Sequence, residues 1–211
     1  MSFNGYIFDL DGTLVDSLGD IAAATNKTLK ELGFEERPKE EIRRYIGSGA
    51  KELFRGLLKN EDEDTLMRAI DIFKSRYAKN PIDNTRLFEG VLEVLELLKE
   101  KNKKMAVVSN KPLELSIIIL KALNVDKYFD DIVGPETYNE RKPSPIPIIK
   151  TLEKLNLTPD VSIVVGDTHA DIESAKRSNC KAALAAWGYV KLKDQKPDFV
   201  LNRFEDLLII D

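Results

Sequence analysis

Short apolar runs alternate along most of the chain with longer stretches in which apolar residues return every three or four positions. Tyr6, Ile7 and Phe8 are β-branched or aromatic and predict a buried strand. Runs at 104–108, 131–133 and 162–165 predict three more, 181–186 a weaker one, and 199–201 a last short one. Between them, Val91, Leu92, Leu95 and Leu98 recur at helical spacing, as do Leu115, Ile118, Ile119 and Ala122. Ile146, Ile149, Leu152 and Leu155 do the same, entered through Pro143 and Pro145, where proline is tolerated. Strands alternating with helices predict βαβ units, hence a doubly wound parallel α/β sheet covered on both faces.

The alternation breaks between about Ser17 and Arg86, where no convincing strand occurs. Leu18, Ile21, Leu29 and Leu32 predict one helix closing at Gly33, and Ile42, Tyr45 and Ile46 a short second one started at Pro38. Leu53, Phe54, Leu57 and Leu58 predict a third after Gly47, Ser48 and Gly49, and Leu66, Ile70, Phe73 and Tyr77 a fourth ending before Pro81. These helices would read as ordinary cover for the sheet, but so long a strandless stretch exceeds a usual crossover. The expectation is therefore a core of 1–16 and 87–211 with a helical cap domain, 17–86, inserted.

With 211 residues, 43% hydrophobic and 32% charged, the chain has the composition of a soluble globular protein. A net charge of −4 lacks the basic footprint of a nucleic-acid binder, and Lys and Glu are well mixed. No apolar run is long enough to span a bilayer, and no basic segment leads into an apolar one at the N-terminus, so a cytoplasmic location is the default expectation. Cys180 alone makes no disulfide or thiolate site, and reads as packed. One histidine, His169, excludes a multi-histidine zinc site, so any metal must be held mainly by oxygen, which points to Mg²⁺.

The polar signals cluster where the predicted strands end. Asp9 and Asp11 follow the first strand, with Gly12 allowing a tight turn. Two acids beside a buried strand are costly unless a cation or proton resolves their repulsion, which suggests a metal site with one carboxylate as nucleophile. A polar turn alone would contain the same residues. Ser109 and Asn110 end the strand at 104–108 and would serve equally as an N-cap. Lys142 lies beyond 131–133, where a solvated loop lysine is ordinary, and Asp167 and Asp171 follow 162–165. All four fall at the carboxyl ends of parallel strands, where open α/β sheets bind their ligands.

In these motifs the chain resembles the haloacid dehalogenase-like hydrolases, in their phosphatase branch with a helical cap, over essentially its whole length. The carriers are Asp9, Asp11, Gly12, Thr13, Leu14, Asp16 and Ser17; then Ser109 and Asn110; then Arg141, Lys142 and Pro143; then Gly166, Asp167 and Asp171. The resemblance implies a Rossmann-like core and Mg²⁺-dependent hydrolysis of a small phosphorylated metabolite. Asp9 would be the nucleophile forming an aspartyl-phosphate, and Asp11 the acid and base. The metal would be held by Asp9, Asp167 and the Asp11 carbonyl, with Asp171 behind them ordering metal waters or Lys142. Ser109 and Lys142 would hold the phosphoryl group, with Thr13, Asn110 and Gly47 also on the substrate.

The segment Tyr45, Ile46, Gly47, Ser48, Gly49, Lys51 and Leu53 resembles the specificity loop of phosphoglycolate phosphatases. Its backbone N–H groups would open a helix suited to an anion, with Lys51, Arg43 and Arg44 near in sequence, or the glycines would only shape a turn. A β-phosphoglucomutase would use the same core motifs, and a catalytically silent regulatory protein the same fold. A Schiff-base enzyme would need a cap lysine, and nothing marks Lys27, Lys30 or Lys51 as desolvated. His169 reads as a loop residue near the site, and Trp187 as closing the core. The sequence leaves monomer and homodimer both open.

Overall fold

The computed structural model describes residues 2–59, 62–190, 192 and 196–210. The strands are β1 (Gly5–Phe8), β2 (Val15–Asp16), β3 (Arg86–Leu87), β4 (Lys104–Val108), β5 (Asp131–Val133), β6 (Ser162–Gly166), β7 (Lys181–Ala185) and β8 (Phe199–Leu201). The helices are α1 (Leu18–Glu31), α2 (Lys39–Arg43), α3 (Ala50–Leu58), α4 (Glu63–Lys79), α5 (Val91–Glu100), α6 (Leu113–Ala122), α7 (Pro135–Tyr138), α8 (Ile146–Leu155), α9 (His169–Arg177) and α10 (Leu207–Ile210).

Six strands form one parallel sheet in the order β5-β4-β1-β6-β7-β8. Strand alternation divides the side chains. Tyr6 and Phe8 join Met105, Val107, Ile163 and Val165 in a cluster with α5 and α6, while Ile7, Ala106, Val108 and Val164 join the opposite cluster with α8 and α9. On α8 the buried apolar residues are Ile148 and Leu152, and Ile146, expected inside, is exposed. The helix begins only at Ile146, just after Pro145, and its phase turns Ile148 to the sheet. Because Phe8 is in register with both Val107 and Val165, the ends of β4 and β6 flank the end of β1.

Helices α1–α4 all lie between β2 and β3, a two-residue antiparallel pair that the sequence pattern does not reveal. The expected boundaries at residues 16 and 87 fall in this pair, where Val15 opposes Leu87 and Asp16 opposes Arg86. The buried carboxylate of Asp20 on α1 ties the stem together, accepting from the backbone N–H of Asn84 and Thr85 at 2.8–2.9 Å. Inside the helical layer α1 and α3 pack on α4, with Phe73 in contact with Phe54 and stacked on Tyr77. None of Lys27, Lys30 and Lys51 is a desolvated cap lysine: Lys27 and Lys30 are exposed, and Lys51 pairs with Glu63 on α4. Cys180 is buried between α9 and β7, and Trp187 packs against Phe88 and Phe204. Among the described residues no helix is long and apolar enough to cross a membrane.

Candidate active site

Each strand end delivers one part of a buried polar cluster. Asp9 leaves β1 with its N–H bonded to the Val165 carbonyl at 2.9 Å, so its carboxylate stands beside β6. The chain then turns at Gly12, whose φ is +87° and where a Cβ would lie 2.5 Å from Asp167 Oδ2, so only glycine fits. Lys142 reaches in from the loop between α7 and α8 and is almost fully buried. Its Nζ lies 2.7 Å from Asp9 Oδ1 and 2.6 Å from Asp171 Oδ1, and it also donates to the Val108 carbonyl. A buried ammonium between two carboxylates is held charged: burial pushes its pKa down, but Asp171 and Asp9 more than offset this and raise it.

The acids remain under strain despite Lys142. Burial lifts the Asp9 pKa to about 6, against the lowering effect of Lys142 and with help from Asp171 and Asp11. Asp167 is fully buried and pushed well above the usual carboxylate range, by burial first and then by Asp171 and Asp9. Its Oδ2 accepts from the Tyr189 N–H at 2.7 Å, but its Oδ1 has no partner among the described residues. Ligand atoms of Asp9, Asp167 and Asp171 lie within 4.8 Å of one another. Three hard oxygen donors, one of them orphaned, fit a divalent cation such as Mg²⁺. Asp171 is otherwise engaged, since Oδ2 accepts from the N–H and hydroxyl of Thr168 at 2.9 and 2.6 Å and caps α9.

These shifts fix a pH dependence. A carboxyl whose folded pKa is raised stabilises the fold fully below its ordinary value of 3.8, and that contribution disappears as pH rises through its folded value of about 6. A bound cation favours the ionised forms and opposes the loss. The melting-temperature gain on adding Mg²⁺ is therefore expected to be small near pH 4.5 and to grow steadily to pH 8, as measured by thermal denaturation with and without the metal. A gain independent of pH would contradict this assignment.

The Asp11 carboxylate is turned away from this cluster. It accepts from the Ser17 hydroxyl at 2.6 Å and from Lys111 Nζ, 3.0 Å from each carboxylate oxygen. Lys111 is buried and also donates to the Tyr77 hydroxyl on α4 at 2.8 Å. Its position two residues after Ser109, in the same turn, was the available sequence signal. Ser109 lines the cleft between the sheet edge and the helical layer, with Asp9, Asp11, Gly47 and Lys111. Asn110 lines it too, but its amide is spent on the protein: Nδ2 donates to the Gly47 and Lys142 carbonyls and Oδ1 accepts from the Lys142 N–H. Asn110 thus ties the loop at Gly47 to Lys142.

Other expected residues lie elsewhere. Thr13 is fully buried outside the cleft lining, its hydroxyl unpartnered among the described residues and its carbonyl accepting from Trp187 Nε1. Lys51 faces Glu63, not the cleft, because the phase of α3 turns it toward α4. Arg43 donates to the carbonyls of Gly188 and Tyr189 and fastens α2 to the core, while Arg44 is exposed on a groove that Arg141, Lys142 and His169 also line. His169 is the exposed first residue of α9 rather than a loop residue. Tyr189, unmarked in the sequence, joins Asp167 to the stem by accepting from the Ser17 N–H at 2.7 Å and donating to Asp16.

The chain matches known proteins over this whole framework. The family model described as haloacid dehalogenase-like hydrolase matches residues 6–185. A phosphoglycolate phosphatase of Aquifex aeolicus is 50% identical over 202 residues, 96% of this chain and 93% of that protein. One of Mannheimia succiniciproducens is 35% identical, covering 96% of each chain. A crystal structure of a Haemophilus somnus protein described as a predicted phosphoglycolate phosphatase superposes with a TM-score of 0.93 at 32% identity, over 100% of this chain and 98% of that one.

Proposed function

Because the chain belongs to the haloacid dehalogenase-like hydrolases and is a phosphatase of the phosphoglycolate phosphatase type, we propose that it hydrolyses 2-phosphoglycolate with Mg²⁺ through a phosphoryl group carried on Asp9. The observation that carries this reading is Lys142 Nζ held between Asp9 and Asp171, beside the orphaned oxygen of Asp167. Asp9, Asp167 and the Asp11 carbonyl would hold the metal, with Asp171 behind them, and the cation would neutralise phosphate charge during transfer.

The side chains divide the work. An Asp9 oxygen bonds to phosphorus as the ester P–O bond breaks, and Asp11 gives its proton to the departing alkoxide. Asp11 then takes a proton from the water that attacks the Asp9-bound phosphoryl group, which releases phosphate and restores Asp9. The Ser109 hydroxyl accepts from the Lys111 N–H and donates no hydrogen bond among the described residues, so its proton is available to a phosphoryl oxygen. Lys142 offsets the charge gathered around the transferring group. Helices α1–α4, residues 17–86, act as the cap that excludes water during transfer.

The Gly47 loop seals the cap against the core and sets substrate preference. Gly47 has φ +94°, and a Cβ there would lie 2.5 Å from Thr168 Cγ2. Gly47→Leu is expected to lower kcat/KM for 2-phosphoglycolate at least about tenfold more than for an aryl phosphate, because only the short substrate needs full closure. Equal losses on both esters would contradict a specificity role. The reading as a whole is tested by assaying a panel of small phosphate esters with Mg²⁺ and with EDTA. Metal-dependent hydrolysis with the highest kcat/KM on 2-phosphoglycolate supports it, whereas preference for a sugar phosphate overturns it.

A further inference from the structure

We propose that Lys111 and Tyr77 form the receptor for the substrate's carboxylate, which takes up hydrogen bonds that Asp11 receives from Lys111 in this structure. This rests on the reading of the protein as a phosphatase for a carboxylated ester. Lys111 Nζ directs two of its contacts to Asp11 and one to the Tyr77 oxygen. The Tyr77 hydroxyl accepts from Lys111 and donates no hydrogen bond among the described residues, so a buried residue on the lining of the same cleft keeps an unused O–H proton. An ammonium and an unused phenol proton, one from the core and one from the cap, together make a two-point donor for a carboxylate.

The surroundings favour that occupant. The same cleft is also lined by Ile21, Leu53, Phe73 and Leu115, apolar side chains that strengthen an ion pair and offer no partners to the hydroxyls of a sugar. The other lysine on the lining, Lys74, is exposed to solvent. Ser109 and Lys111 are two residues apart in one turn, so their Cα atoms are at most about 7 Å apart, the scale of a two-carbon phosphate ester. Asp11 is the anion paired with Lys111 here, so a second carboxylate on Lys111 loosens Asp11 from its present bonds. Specificity and the freedom of the acid-base residue are thereby coupled.

The test compares kcat/KM for 2-phosphoglycolate and for ethyl phosphate, an ester of similar length without the carboxylate, in the wild type, Lys111→Met, Lys111→Arg and Tyr77→Phe. The wild-type preference for the carboxylated ester is expected to fall at least tenfold in Lys111→Met, mainly through KM, and severalfold in Tyr77→Phe, with Lys111→Arg retaining part of it. Competitive inhibition by glycolate is expected to weaken in parallel. Equal losses on both esters, or unchanged discrimination in both Lys111→Met and Tyr77→Phe, would overturn the receptor while leaving the phosphatase reading intact. A wild type without preference for the carboxylated ester would overturn both.

Discussion

Replacing Asp9 by Asn is expected to lower kcat on the order of 10⁴-fold or more, the scale seen when a covalent nucleophile is removed from a working constellation. The amide keeps the volume and planar shape of the carboxylate, with one oxygen left to accept from Lys142, but cannot attack phosphorus. Stability is expected to hold or rise near pH 7.5, because burial and the neighbouring acids already oppose the ionised form of Asp9. Lys142 keeps its partner Asp171 at 2.6 Å, so the buried ammonium is not orphaned. Steady-state kinetics together with a urea titration would show an inactive, undiminished fold. Near-wild-type turnover by Asp9→Asn would remove Asp9 from the mechanism.

Lys142→Met is expected to damage both activity and fold. Losing a charge poised at the transferring phosphoryl group costs about 10²–10³-fold in kcat. Losing one partner of a buried ionic cluster also costs about 3–5 kcal/mol, because Asp9 and Asp171 then face each other with Asp167 and no internal cation. The sign with pH follows from the acids. At pH 4 protonation relieves most of the repulsion and the variant should lie close to the wild type, whereas the gap should open as pH rises past about 6, where Asp9 ionises. Mg²⁺ should recover part of the stability but little of kcat. A destabilisation that does not vary with pH would mean that Lys142 acts through packing alone.

Much of this arrangement was legible in the residues themselves. Apolar runs at 6–8, 104–108 and 162–165 identified strands because a central parallel strand must be apolar on both faces, and shorter runs at 131–133 and 199–201 marked the two edge strands. Their polar ends then located Asp9, Ser109 and Asp167 on one edge. The stem of β2 and β3 was not legible, since two residues carry no periodicity and its pairing joins positions far apart in sequence. Side-chain facing was also hidden. Arg43 and Lys51 are near the Gly47 loop in sequence, but α2 and α3 aim them at the Gly188 and Tyr189 carbonyls and at Glu63. The buried cation on the cleft lining is Lys111, whose importance depends on Asp11 and Tyr77 meeting it from two other parts of the fold. The polar first turn of α9 hides its start from the apolar pattern, which leaves His169 reading as a loop residue, whereas the cap formed by Thr168 and Asp171 begins the helix at His169.

The central claim is that the phosphoryl group passes through Asp9, and the most direct measurement is mass analysis of enzyme quenched during turnover of 2-phosphoglycolate with Mg²⁺. With an aryl phosphate, whose leaving group needs no proton from Asp11, Asp11→Asn should make the intermediate easier to see, because removing the base that activates water slows its breakdown, by about 10²–10⁴-fold for a general base. The account predicts one added phosphoryl group on the peptide that contains Asp9, formed in the wild type and in Asp11→Asn but absent from Asp9→Asn. Turnover with no phosphorylated peptide in either enzyme, or with the label on any other residue, would contradict it.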